Sequence, residues 1–324
     1  MALRTPLTEL LGIQHPVVLA PMGATAGGRL AAAVTRAGGL GLIGVGYADD
    51  AFIDREFDAA GNTAVGIGFI TWDLARSPRR LDVALARRPR AVMLSFGDAA
   101  PFAGRIKDSG AALIMQVQSL AMAREARQLG ADIIIAQGVE AGGHGGDPNN
   151  GRSTLPFVPA AVDAVAPVPV LAAGGIADGR GLAAALTLGA AGVLIGTRFI
   201  AAEESLSHAN VKQRIASSSG DDTLRTRVFD IGRAIDWPEQ YTGRAVANDF
   251  SARWHGHEQG LRDRLDSERP RYFAAADKGD TATMVVWAGE GLDLIRSVEP
   301  AARILERIVA EAEAALARAS AARV

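Results

Sequence analysis

A chain of 324 residues that is 48% apolar and carries a formal charge of −2 has ample sequence for a large core. A charge so near zero gives no electrostatic reason to bind nucleic acid or an anionic membrane surface. The absence of cysteine excludes disulfides, thiolate metal centres and a thiol nucleophile together.

Residues 1–21 are broken by Glu9, Gln14, His15 and Pro16, so no signal peptide is expected there. The apolar segment 183–196 is interrupted by Thr187 and is shorter than the ~20 residues of a membrane span. A cytoplasmic enzyme is the default expectation. Apolar runs at 16–20, 40–45, 64–70, 91–95, 112–117, 133–136, 168–172 and 192–195 read as buried strands. Between them, helical spacing is found at 27–37, 51–60, 79–88, 101–109, 120–129, 156–165 and 179–188. Most intervals between strand centres are about 20 to 26 residues, the spacing of successive βα units. Eight such units predict a TIM (β/α)8 barrel, an α/β fold with a parallel sheet closed on itself.

The rhythm breaks after Thr197. Residues 203–290 are more polar, hold a Ser-Ser-Ser-Gly-Asp-Asp turn at 217–222 and contain Trp237, Trp254 and Trp287. They are expected to form a small, mainly helical insertion over the barrel mouth. Residues 1–202 and 291–324 make the barrel, and 299–317 is its last helix.

The widest interval between strands holds residues 137–147, Gln-Gly-Val-Glu-Ala-Gly-Gly-His-Gly-Gly-Asp. Glycine at this density allows close backbone approach to a ligand, and His144 is the one group here that changes charge near neutral pH. The stretch follows a strand, where barrel active sites are built. Two further glycine sites end strands seven and eight: Gly174-Gly175 and Gly196-Thr197-Arg198. Their backbone N–H groups would converge on an anion, at the usual phosphate site of this barrel. Arg198 is placed equally well to pair with phosphate or to make a structural salt bridge. Gly39-Leu-Gly-Leu-Ile-Gly44 has the letters of a dinucleotide fingerprint, but its glycines lie within a strand. His255-Gly-His257-Glu258 lacks a third ligand at a recognisable spacing, so no metal is expected. His15 and His208 have no neighbourhood that singles them out.

Ala20-Pro21-Met22, the Gly38-Gly39-Leu40-Gly41 turn, residues 137–146, residues 172–178 and Gly196-Thr197-Arg198 together closely resemble nitronate monooxygenases, formerly called 2-nitropropane dioxygenases. Residues 225–229, Trp237-Pro238, Gly243-Arg244-Ala245 and Ala288-Gly289 extend the resemblance into the insertion. It implies non-covalent FMN and the use of O2 to convert alkyl nitronates into carbonyl compounds and nitrite. By position, Met22 would line the isoalloxazine, and Gly143 would approach it beside a catalytic His144. Gly174, Gly175, Gly196 and Thr197 would hold the phosphate. Gln116 occupies a ring-contacting position. Gly68 falls where relatives often have a flavin-contacting Asn, so that ring hydrogen bond is either missing or supplied by Gln116 or Gln137. His144 would take the α-proton of a nitroalkane or, as imidazolium, bind the nitronate oxygen. The insertion's Trp residues would cap the substrate. The partners implied are a small-molecule substrate and O2, with a homodimer allowed. The same barrel and His motif also resemble flavin-dependent enoyl-ACP reductases and NAD(P)H:quinone reductases.

Overall fold

The computed structural model of the chain describes residues 3–146 and 151–322; Asp147, the end of the glycine-rich stretch, lies outside the described residues. After α1 (Pro6–Leu11), strands and helices alternate as β1 (Val17–Leu19), α2 (Gly28–Arg36), β2 (Leu42–Gly44), α3 (Asp50–Ala60) and β3 (Gly66–Ile70). The chain continues through α4 (Thr71–Leu74), α5 (Arg79–Ala86), β4 (Ala91–Ser95), α6 (Ala100–Asp108), β5 (Ala112–Val117), α7 (Leu120–Gln128) and β6 (Ile133–Gln137). Then come β7 (Gly143–Gly145), α8 (Thr154–Val165), β8 (Val170–Ala173), α9 (Gly179–Thr187), β9 (Gly192–Ile195) and α10 (Thr197–Ile200).

Eight of these strands form one parallel sheet in the order β1-β9-β8-β6-β5-β4-β3-β2. A parallel bridge from Val18 to Leu40, just ahead of β2, joins its two ends. Leu19 N–H donates to the Leu40 carbonyl at 2.9 Å, and Leu40 N–H to that of Val17 at 3.0 Å. The TIM barrel expected from the strand rhythm is present, closed at that bridge.

Side chains alternate across each strand. Val18, Leu42, Met93, Ile114, Ile133, Ile135, Leu171 and Leu194 fill the barrel interior. Leu113, Met115, Ile134, Ala136, Val193 and Ile195 pack outward under the helices. The inward register of β5 and β6 continues from Ile114 and Ile135 to Gln116 and Gln137, which puts two buried amides at the C-terminal rim. The opposite end is plugged by Leu7 and Leu11 of α1, a helix the strand rhythm did not announce. It starts with a reciprocal Thr5–Thr8 capping box and Pro6 in its first turn.

The segment after α10 adds α11 (Ala209–Ser217), β10 (Thr223–Thr226), α12 (Val228–Gly232), β11 (Thr242–Val246), α13 (Asp249–Trp254), α14 (Glu258–Arg262) and α15 (Leu265–Asp277). It is mainly helical, as expected, but it also holds a strand pair. β10 and β11 are antiparallel, and β7, from within the glycine-rich stretch, adds to them as a third strand. Val228, Phe229, Phe250, Trp254, Leu261 and Tyr272 give this segment an apolar cluster of its own. The final helix, α16 (Ala301–Ala321), packs against α9 and α2 and completes the helical wall. Its N-cap is Pro300, so the helix begins two residues later than expected from sequence.

Candidate active site

A cavity of about 520 Å³ opens at the C-terminal ends of the barrel strands. Met22, Gly68, Gln116, Gln137, Gly143, His144, Gly174, Gly175, Gly196 and Thr197 all line it, so the residues that the resemblance assigned to flavin and catalysis are brought to one place.

His144 sits in the middle of β7, opposite Gly243 of β11. Its ring stacks on Trp237 at 3.5 Å between centroids and 8° between planes, with Trp287 tilted beside it at 4.9 Å. Nε2 lies 2.9 Å from Oδ2 of Asp230. The other oxygen of Asp230 accepts from Arg233 at 2.8 Å. Burial pushes the imidazole pKa below its ordinary value, and the hydrogen bond to Asp230 opposes that shift without overcoming it. The ring is therefore neutral near pH 7, the form that can accept a proton.

The backbone of His144 is fixed as firmly as its ring. Its carbonyl accepts from Gln137 Nε2 at 2.9 Å. Gln137 Oε1 accepts in turn from Gln116 at 3.1 Å and from Gln118 at 2.8 Å. Gln137 thus spends its amide on protein partners, and Gln116 keeps its own carbonyl oxygen for a ligand. Arg225 of β10 donates to the carbonyls of Val139 at 3.1 Å and Thr242 at 2.8 Å, tying the glycine stretch to β11. Burial pushes its pKa down to about 10. Glu140 accepts from the Thr154 N–H at 2.9 Å and so covers the start of α8.

At the other end of the cavity, Gly174 and Gly175 have φ of 108° and 70°, a region closed to most side chains. A Cβ on Gly174 would lie 3.0 Å from Thr154 Oγ1. At Gly196, Met22 Sδ would be 3.3 Å away. The positive φ at Gly174 and Gly175 is what keeps this stretch bare. Gly68 has a different reason: a Cβ there would lie 2.3 Å from Pro21 Cγ. Arg198 turns away from the cavity. It is 4% exposed, donates to the Ser297 carbonyl at 3.1 Å and pairs with Glu299 at 3.2 Å, which decides for the salt bridge. The glycines of the rejected fingerprint serve close packing, since a Cβ on Gly41 would fall 1.9 Å from the Ala31 carbonyl oxygen.

Sequence reasoning missed Asp230, Arg233 and Phe96. Phe96 holds a φ of 64° at the end of β4 and packs edge-on to Trp237 at 5.3 Å. A bulky residue in that region marks a constrained position, yet nothing in the sequence shows a φ. Of the three Trp residues expected to cap the substrate, Trp237 and Trp287 line the cavity. Trp254 does not; it packs in the separate apolar cluster. Among the described residues, no group of three or more His, Asp or Glu is arranged to hold a metal. No helix among them is long and apolar enough to cross a membrane.

Comparison with known proteins adds a family to this geometry. The nitronate monooxygenase model matches residues 4–60 and 50–311. A nitronate monooxygenase of Metarhizium robertsii is 33% identical, over 93% of this chain and 91% of its own. A (3aS,4S,5R,7aS)-5-hydroxy-7a-methyl-1-oxo-octahydro-1H-indene-4-carboxyl-CoA dehydrogenase of Mycobacterium tuberculosis is 39% identical over 71% of this chain, and the match spans 65% of that protein's length. Among solved structures, FabK from Thermotoga maritima superposes with a TM-score of 0.86 at 29% identity, covering 98% of this chain and 99% of its own.

Proposed function

Because the chain belongs to the nitronate monooxygenase family, we propose that it uses FMN and O2 to oxidise alkyl nitronates, and the nitroalkanes that give rise to them, to carbonyl compounds and nitrite. The coarser statement, an oxidoreductase of a flavin-dependent family, follows from membership. One observation carries the finer reading: a neutral imidazole, held from behind by a carboxylate, sits in an aromatic-walled cavity whose far end is a cradle of bare glycine backbone.

The cradle fits one phosphate. Gly174, Gly175, Gly196 and Thr197 make a single glycine-rich site at the ends of β8 and β9, and this favours a mononucleotide over a dinucleotide. At about 520 Å³ the cavity falls in the ordinary range of cofactor sites, about 300–1,000 Å³. Gly174, Gly175, Gly196 and Thr197 would hold the phosphate, Met22 and Gly143 would flank the ring, and Gln116 would offer it a hydrogen bond. Bound flavin supplies the electron-accepting ring and the reaction with O2.

The side chains supply the rest. His144, neutral at working pH, takes the proton α to the nitro group, a contribution of ~10²–10⁴-fold for a well-placed base. Asp230 balances the imidazolium that results. Trp237 and Trp287 wall the reacting carbon from water.

The likeness to FabK, a flavin-dependent enoyl-ACP reductase, favours a second reading, in which NAD(P)H is the reductant and an enoyl thioester or quinone the acceptor. Anaerobic mixing separates the two. Bleaching of the flavin by a nitronate supports the first reading, and bleaching by NAD(P)H but not by nitronate replaces it with the second. Flavin release on denaturation, with its mass measured, tests FMN directly.

A further inference from the structure

We propose that Asp230 is a positioning residue that locks His144 in the Nε2–H tautomer, leaving Nδ1 as the base, with Arg233 as the counter-charge that holds the carboxylate in place. The identity of the proton Nδ1 takes rests on the functional reading above; the pair itself does not.

The argument begins from donor chemistry. An ionised carboxylate only accepts hydrogen bonds. Asp230 is 2% exposed and lies 2.9 Å from Nε2 through Oδ2, so Nε2 must carry the proton. A carboxylate buried to this degree is costly unless it is paired. Arg233, one helical turn on, donates to Oδ1 at 2.8 Å. Arg233 is itself fixed by a bond from Nε to the Phe229 carbonyl at 3.2 Å and by its place over the Trp287 ring at 5.5 Å. Trp237 lies flat against the imidazole, which opposes a flip about Cβ–Cγ that would put Cε1 in place of Nε2. Nδ1 has no hydrogen-bond partner among the described residues, which leaves its lone pair for substrate.

The charged groups around His144 are Asp230 from α12, Arg233 at its C-cap and Arg225 from β10. Trp237 and Trp287, the other groups packed on the ring from this segment, do not titrate. On the barrel side stand Phe96 and, behind Trp237, Tyr47, whose hydroxyl accepts from Trp237 Nε1 at 2.6 Å. Only Asp230 favours the imidazolium. In the proposed step the substrate C–H bond breaks, its electron pair passes to the nitro group, and the proton bonds to Nδ1. The positive charge then lies against Oδ2 of Asp230. Subsequent release of that proton to solvent restores the neutral tautomer.

The test is ¹⁵N NMR of the histidine rings in the flavin-loaded protein, with the His144 signals assigned by their loss in His144→Asn. The parent protein should show His144 as Nε2–H when neutral. In Asp230→Asn, the amide oxygen should turn to Arg233 and its N–H₂ to Nε2. That inverts the tautomer to Nδ1–H and moves the titration to lower pH. Arg233→Leu should move the titration the opposite way, a pair of shifts that loosened packing does not produce. Asp230→Asn should also lower kcat/KM for neutral nitroalkane by about 10–10²-fold, part of the loss expected for a missing base. Preformed nitronate, which needs no deprotonation, should lose far less.

An unchanged tautomer and titration in Asp230→Asn would overturn the proposal. So would an Nδ1–H tautomer in the parent protein. If Asp230→Asn does not fold, Arg233→Leu alone decides: a titration that stays in place or falls rejects the role given to the pair. If the NMR shifts appear while the parent protein turns over no nitroalkane, the pair stands and the functional reading falls.

Discussion

Gly68 shows how little room the cavity wall leaves for another side chain. Since a Cβ would press on Pro21 at 2.3 Å, Gly68→Asn should cost about 1–3 kcal/mol through overpacking and reduce flavin content, both measurable by urea unfolding and absorbance. A variant of wild-type stability with full flavin would show that Pro21 yields freely. His144 carries a pH signature of its own. Burial first, against the opposing Asp230 bond, holds its pKa below 6.5, so the unfolded chain takes the proton before the folded one does. Stability is then full above pH 6.5 and declines as pH falls from 6.5 toward the folded pKa. His144→Asn should flatten that slope in denaturant titrations at graded pH, and an unaltered slope would assign the acid sensitivity elsewhere. His144 was legible because it stood alone among glycines after a strand. Asp230 and Arg233 were not, although their i,i+3 spacing on one helix face was in view. Their target lies 86 positions from Asp230, and no local pattern gives a contact across that distance.

At the level of elements, legibility followed how much of each strand's structure comes from its own residues. The barrel strands are buried on both faces and read as continuous apolar runs. β7 is Gly-His-Gly, with no strand propensity; β11 makes it a strand by pairing with it. β10 and β11 were hidden in turn by Thr, Arg and Gly, since their sheet is short and only half covered. The β7–β11 register also depends on a bare position. A Cβ on Gly243, the residue opposite His144, would meet the Trp287 ring at 2.3 Å. Gly243→Ala should therefore push Trp287 off His144, change tryptophan fluorescence and reduce turnover. The parallel barrel should remain intact by circular dichroism. Full activity in Gly243→Ala would show that the Trp287 contact is dispensable.

For the whole molecule, the decisive joins are the ones that close the ring. Arg198, at the end of the last barrel strand, bonds Glu299 and the Ser297 carbonyl ahead of α16, and so binds that final helix to the barrel. Arg198→Met should destabilise the fold by about 3 kcal/mol, the scale for removing one partner of a buried ion pair. The folded fraction should keep its flavin, because Arg198 stands outside the cavity. Loss of flavin without loss of stability would return Arg198 to the phosphate site. The β7–β11 seam has a further consequence, for how such enzymes can be recombined. A graft that replaced residues 223–246 with those of a relative would exchange the strand behind His144, the carboxylate on its ring and the indole stacked against it in a single cassette. Base strength and substrate fit are thus inherited together. Chimeras cut outside this block should keep a working base, whereas those cut between Asp230 and Thr242 should combine a carboxylate from one parent with a strand register from the other.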